Sequence, residues 1–315
     1  MKQRTALLST LTILLLLGGG VACRKPKTAI KDEYAGKTAK DLLEMGDLYL
    51  QNGHWEEGRK ILRTIEERLP SSAEFPKAKL LIADSFFFGS TSTFPEALVE
   101  YKSFLNYFPR HERRDYALYR VGLCHYASIE NAERDQNETR RALDAFQALM
   151  KEAPGSIYAV DAKAKVTQCW RRLAEAELMV GIFYVKSFHF AGAERRIKGL
   201  LETYPEYVDR ERAYFYLGEA MRQRLLSGEE LAQFDKDYKA KLGKENLADL
   251  TKEQIADYRK DFVAFGDEKV KGFRAEAKSY YQKLVESYPS SEWARLAADR
   301  LVTMGTSGVK EELDS

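Results

Sequence analysis

Three cysteines and four histidines are the side chains of this 315-residue chain best suited to nucleophilic, metal or proton-transfer chemistry. Cys23, Cys124 and Cys169 form no Cys-x-x-Cys and stand at no metal-ligand spacing from a histidine. His54, His111, His125 and His189 are scattered, none within a His-Glu-x-x-His or a triad order, and no glycine-rich phosphate loop occurs. The many carboxylates stand about one helical turn from bases, as on solvated helix faces. A catalytic site needs convergent polar groups in a pocket, and nothing in the residue pattern provides them. The expectation is therefore a protein that is not an enzyme and uses no cofactor. Cys124 and Cys169 leave two readings open. They are small buried residues in helices, or they pair as a disulfide if the body is extracytoplasmic.

Cys23 stands apart because of what precedes it. Lys2 and Arg4 form a basic start, Ala6 to Leu17 an apolar run broken by Ser9, Thr10 and Thr12, and Gly18 to Ala22 a small-residue exit. That order describes a secretory signal over 1–22. The apolar run is shorter than the ~20 residues a membrane span needs. A small residue directly before Cys resembles the bacterial lipobox, in which the thiol is acylated and the cysteine becomes the first mature residue. Gly20 departs from that pattern, which usually has leucine there, and the competing reading is an ordinary signal cut after Ala22. Each acyl CH₂ buried in a bilayer contributes about 0.8 kcal/mol, so two or three chains on Cys23 would anchor the protein stably. Arg24 follows the cysteine in place of the aspartate that resembles an inner-membrane retention signal. The expected location is the outer membrane, lipid-anchored and facing the periplasm, with 23–36 as a polar tether.

The elements that carry everything else are legible from prolines. Five segments end alike, at Pro70, Pro109, Pro154, Pro205 and Pro289. Five residues before each proline lies an apolar residue: Ile65, Phe104, Leu149, Leu200 or Leu284. Eight before lies a large one: Leu62, Tyr101, Phe146, Ile197 or Tyr281. Twelve before lies a small one: Gly58, Ala97, Ala142, Ala193 or Ala277. Offsets of three and four keep these residues on one helical face. Upstream, Gly46, Ala83, Gly122, Gly181 and Gly218 supply a matching small residue on a preceding helix. This resembles the tetratricopeptide repeat, and the expected fold is an all-α tetratricopeptide-repeat superhelix. It comprises five helix pairs (about 37–70, 75–109, 115–154, 158–205 and 210–289), a closing helix near 291–304 and a tail over 305–315. Single repeats cannot bury their apolar faces alone, so the units must stack.

A charged insert, about 223–271, interrupts the fifth pair. Thr251 followed by Gln254 looks like a capping box opening a helix, with Ile255, Tyr258, Phe262 and Phe265 at helical spacing after it. A solvated helical hairpin and a docking arm are both compatible with that pattern. The near-balance of 50 basic and 48 acidic residues sets up no long-range field for DNA or RNA, so no nucleic-acid partner is expected.

The run over 134–158, RDQNETRRALDAFQALMKEAPGSIY, resembles the BamD (YfiO) family of outer-membrane assembly lipoproteins. The family carries RD-P, an A-x-x-x-F helix and Y-P-x-S-x-Y. Here Gln136 replaces the proline and Ala153 the tyrosine. The stretch 172–205 continues the likeness, which covers roughly 33–289 without the insert. The resemblance implies a lipid-anchored scaffold that binds a BamA-like insertase, other lipoproteins of the assembly machinery and unfolded outer-membrane β-barrel proteins. The C-terminal repeats would dock the insertase and the N-terminal ones would receive extended substrate. By the same resemblance Arg196 is the insertase contact, with a solvated surface arginine as the other reading. Residues four beyond the small helix-A position, namely Leu50, Phe87, Tyr126 and Val185, are expected to face the concave groove, flanked by Tyr119 and Asp84. Aromatics there would anchor an extended peptide, or else serve packing between repeats. The alternative function is another envelope tetratricopeptide lipoprotein adaptor, a secretin pilotin or a cell-division coordinator.

Overall fold

The computed structural model describes residues 33–89 and 93–313; Cys23 and the expected signal lie outside them. Among the described residues there are twelve α-helices and no strand. They form antiparallel pairs in chain order: α1 (Ala39–Gln51) with α2 (Trp55–Arg68), α3 (Phe75–Phe88) with α4 (Phe94–Tyr107), α5 (Arg114–Ala127) with α6 (Asn137–Glu152), and α7 (Ala159–Lys186) with α8 (Phe190–Thr203). The fifth pair is α9 (Arg210–Gln223) and the C-terminal part of α11 (Lys252–Ser287). α10 (Gly228–Leu242) lies between them in sequence, and α12 (Glu292–Leu313) closes the stack.

Each second helix stops two residues before its proline, at Arg68, Tyr107, Glu152, Thr203 and Ser287. The residue before a proline is pushed out of the α region by the ring's Cδ. Leu69, Phe108, Ala153, Tyr204 and Tyr288 accordingly sit at φ between −125 and −138 with positive ψ. The small-against-large register holds in space. A β-carbon added to Gly46 would meet Leu62 at 2.6 Å, to Gly122 Phe146 at 2.5 Å, to Gly181 Ile197 at 2.6 Å and to Gly218 Tyr281 at 2.5 Å. All four large partners are fully buried. Helix pairs approach this closely because one side has no side chain. The apolar residues form a series of clusters shared by neighbouring pairs, as stacked repeats require.

Two features differ from the sequence reading, while the fourth pair lies within the expected 158–205: its helix A is one 28-residue helix, α7, whose first turns cover 159–171. No proline or glycine interrupts that stretch. The insert is a helical hairpin, and its second arm runs without a break into the fifth pair inside the 36-residue α11. Phe234 of α10 meets Tyr258, Phe262 and Phe265 at ring-centroid distances of 5.6, 5.4 and 4.9 Å, closing the two arms. The capping box at Thr251 and Gln254 forms, and a second, Ser227 with Glu230, opens α10. Finally, α12 continues to Leu313, so the tail expected from 305 is helical to that point. Glycines at 305 and 308 each cost about 1 kcal/mol against alanine but remove no hydrogen bond.

Candidate partner-binding surfaces

The residues read as a groove fall into two groups. Asp84 and Phe87 lie on α3, and Tyr119 and Tyr126 on α5. The Asp84 carboxylate accepts hydrogen bonds from the hydroxyls of Tyr101, on α4, and of Tyr116, on α5, the latter at 2.6 Å. Burial pushes its pKa above the ordinary carboxylate value, outweighing those two donors and the nearby Arg120 and Arg113. Both tyrosine hydroxyls are pushed up in turn, by burial and by the same carboxylate. Asp84 is thus an internal tie between the second and third pairs, both hydroxyls reaching its Oδ1.

Phe87 remains half-buried, edge-on to Phe88 at 5.0 Å and to Phe94 at 5.4 Å. The Arg120 guanidinium lies 4.8 Å from the Phe87 ring, 4.4 Å from Phe88 and 4.9 Å from Tyr116, a cation held among three ring faces. Its Nε is buried and has no hydrogen-bond partner. Tyr116 in turn meets Tyr158 at 5.6 Å, and Tyr158 stacks on Tyr119 at 4.9 Å. One aromatic strip therefore runs from the exposed Phe88 through Phe87, Arg120, Tyr116 and Tyr158 to Tyr119. Arg120, Tyr116 and Tyr158 had not been singled out in the sequence. The four-residue spacing of Tyr116 and Arg120 on one face of α5 was the available signal.

The extension of α7 explains the second group. Tyr119 donates to Asp161 at 2.6 Å, and burial and this carboxylate push its hydroxyl up to about 12. Tyr126 donates to Gln168, and Lys165 lies 4.3 Å from its ring centre. Both tyrosines are half-buried against the first turns of α7. Leu50 and Val185, read with them, are buried in helix packing. The N-terminus of α7 presents the exposed aliphatics Ile157 and Val160 beside Tyr158.

Arg196, on α8, is exposed and pairs with Glu177 of α7 at 2.9 Å. Glu177 lines a cleft of about 540 Å³ between α7 and the 132–136 loop. That loop is held by Gln136, whose buried amide donates to the carbonyls of Asn131 at 2.8 Å and Arg134 at 3.0 Å and accepts from Thr139 at 2.8 Å. At the far end, Glu219 of α9 accepts from Tyr281 at 2.6 Å, Arg300 at 2.7 Å and Arg222 at 2.9 Å, tying α9, α11 and α12 together.

Among the described residues no group of three or more His, Cys, Asp or Glu side chains is placed to hold a metal ion, and no helix is long and apolar enough to cross a membrane. Cys124 and Cys169 are buried free thiols. Burial pushes them up to about 12 and about 11, so neither is a reactive thiolate. His125, also buried, lies 2.6 Å from Glu138.

Comparison with known proteins bears on what these surfaces serve. A family model described as an outer membrane lipoprotein, YfiO, matches residues 35–236, and a tetratricopeptide repeat model matches 274–291. Three proteins named outer membrane protein assembly factor BamD are similar. The one from Caulobacter vibrioides is 27% identical over 59% of this chain and 61% of its own length. The one from Haemophilus influenzae is 29% identical over 57% and 72%. The one from Neisseria gonorrhoeae is 27% identical over 65% and 82%. The chain thus spans about three fifths of the Caulobacter relative and more of the other two. The solved structure of a tetratricopeptide repeat protein from Parabacteroides merdae aligns with 84% of this chain and all of its own, at 14% identity and a TM-score of 0.32.

Proposed function

The chain belongs to the YfiO family of outer-membrane lipoproteins, and from that premise we propose that it is a scaffold for outer-membrane protein assembly. In this reading a lipid on Cys23 holds it on the periplasmic face of the outer membrane. Its repeats receive unfolded β-barrel chains and bind a BamA-like insertase together with other lipoproteins of the machinery. The relatives' shared name, assembly factor, supports the biological role.

The observation that carries the substrate half is the aromatic strip from Phe88 to Tyr119. An unfolded β-barrel segment is extended and alternates apolar and polar side chains. The exposed Phe88 and the half-buried Phe87, Tyr158 and Tyr119, joined through Arg120 and the buried Tyr116, offer such a segment apolar anchors at low conformational cost, and Arg120 offers it a positive charge. Phe87, Tyr119 and Tyr126 belong to this surface, and Asp84 acts beneath it by fixing Tyr101 and Tyr116. Arg196, exposed on α8, is the insertase contact carried over from the family. Its pairing with Glu177 means that a partner carboxylate would compete with an existing ion pair. Scaffold work needs no catalytic constellation, and the functional residues assigned here only bind.

Depletion of the protein tests the reading. Outer-membrane porin levels should fall as it is lost. Unchanged porin assembly, with a defect in secretin assembly or septation instead, would point to an adaptor of another envelope machine.

A further inference from the structure

Neither family model reaches the insert arm, since the first ends at residue 236 and the second begins at 274. The arm's core is sparsely filled. α10 has 15 residues and buries one side chain, Tyr238, and α11 buries none before Phe273. Each helix of the five pairs buries at least three. Helices of such length draw most of their stability from packing an apolar face. The arm supplies rings for that face, yet Phe234, Tyr258, Phe262 and Phe265 stay half-buried, because only two helices share them. A groove of about 410 Å³ runs between α10 and α11, and Phe234, Tyr238 and Phe265 line it.

Charge is ordered along both helices. On α10 the acids stand toward the base of the arm, at Glu229, Glu230, Asp235 and Asp237, and lysines toward its tip, at Lys239, Lys241 and Lys244. The helix macrodipole favours the same order but fades within the first and last turns, and Asp235 and Asp237 lie beyond the first. On α11 the groove's rim carries Asp261 and Lys269, four residues to either side of Phe265. Phe265 meets Phe234 at 4.9 Å, so the two helices are level there. A two-fold axis crossing the arm at that level, perpendicular to the helices, lays each pattern on its opposite. Asp261 then faces Lys269 of a second copy, and Phe265 faces Phe265. Lys239 stands five residues after Phe234 and Glu229 five before it, so these two also face each other. Their present ties are weak. Lys241–Asp261 and Arg195–Glu229 are each 3.6 Å apart between exposed side chains, and among the described residues Lys239 and Lys269 make no ion pair.

We propose that the arm is a self-association surface. Two copies of this chain stack their arms face to face and antiparallel about that axis, closing a four-helix aromatic core. Such an interface is isologous, the same patch serving both copies. Opposite charges at the two ends of α10 fit a second copy better than a partner of one sign. The face is about 22 Å long and two helices, about 20 Å, wide. That offers roughly 440 Å² per copy, which places the dimer among weak, transient interfaces. Anchoring both copies to one membrane would raise their effective concentration.

Sedimentation of the full chain in density-matched detergent, over a range of concentrations, tests this. The wild type should dimerise in the micromolar range, and amide exchange in α10 should slow as concentration rises. Two charge-swapped variants sharpen the test. One carries Lys239→Glu, Lys241→Glu and Lys269→Glu, which leaves both ends of its arm acidic. The other carries Glu229→Lys and Asp261→Lys, which leaves both basic. Each alone should associate at least tenfold more weakly than wild type. Their equimolar mixture should regain wild-type association, because every contact again joins opposite charges, and that recovery shows that both variants fold. A wild type still monomeric at about 100 µM would overturn the proposal. So would variants that dimerise like wild type, or a mixture that does not recover. Protection of α10 that appears only when the insertase's periplasmic domains are added would give the arm to a different partner and overturn self-association.

Discussion

Alanine at the helix-A glycines probes the repeat register directly. At Gly122 a β-carbon would meet three atoms of the Phe146 ring within 3.0 Å, and at Gly218 three atoms of the Tyr281 ring within 2.9 Å. Both rings are fully buried, so neither can swing aside without moving a helix. Overpacking of this kind costs about 1–3 kcal/mol, and the better helix propensity of alanine returns about 1 kcal/mol. The net expectation at these two sites is a loss of up to about 2 kcal/mol. At Gly181 the clash is with one carbon of Ile197 at 2.6 Å, the next lying at 3.3 Å. That carbon is Cγ1 of a fully buried, β-branched residue whose χ1 a helix holds in one rotamer, so Gly181→Ala should likewise lose up to about 2 kcal/mol. Gly199, inside α8, has nothing within 4 Å of its added carbon, and Gly199→Ala should stabilise by roughly 0.5–1 kcal/mol. Ala83 already occupies the equivalent position opposite Tyr101 in the second pair, so the cost measures the spacing of each pair and not a rule about glycine. Urea unfolding gives the totals, and amide hydrogen exchange locates them, since stacked repeats open in units. If Gly122→Ala were as stabilising as Gly199→Ala, the close approach of α5 and α6 would be refuted.

Other expectations concern the closing network and the anchor. Tyr281→Phe removes a hydroxyl that donates to Glu219 at 2.6 Å, and should cost about 2 kcal/mol, with exchange protection lost in α9, the end of α11 and α12 but kept in α1 to α4. Burial opposes the Glu219 charge, yet its bonds from Arg222, Tyr281 and Arg300 hold its pKa below the ordinary 4.5. A folded pKa below the unfolded one means its stabilisation is present above pH 4.5 and disappears as pH falls through the folded value. Glu219→Gln should therefore flatten the acid limb of a stability–pH curve, and an unchanged limb would contradict the assignment. Cys23→Ala should move the protein from membranes to the soluble periplasmic fraction; retention on membranes without an acyl label would count against lipidation.

The helix pairs were legible because their signals are local. Proline excludes the α region one residue back, and offsets of three and four place Leu62 against Gly46 or Tyr281 against Gly218 whatever the rest of the chain does. Lengths were less legible. Nothing in 159–171 breaks a helix, but nothing in those residues says that they join Lys186 in one rod, and that continuity decides which partners Tyr119 and Tyr126 find. The spacing alone puts Asp84 at the groove's flank; its place beneath it depends on Tyr101 and Tyr116, 17 and 32 residues away in sequence. The turn at Phe188 escaped notice for the opposite reason. A left-handed residue normally announces itself as glycine, as at Gly53, and there the glycine is missing.

Crosslinking the native protein in intact cells and identifying what it captures tests the scaffold assignment most directly. The account predicts recovery of a β-barrel insertase with periplasmic domains, together with nascent outer-membrane β-barrel chains crosslinked at Phe87 and Tyr119. Recovery of a secretin or of septal proteins, with no insertase, would contradict it.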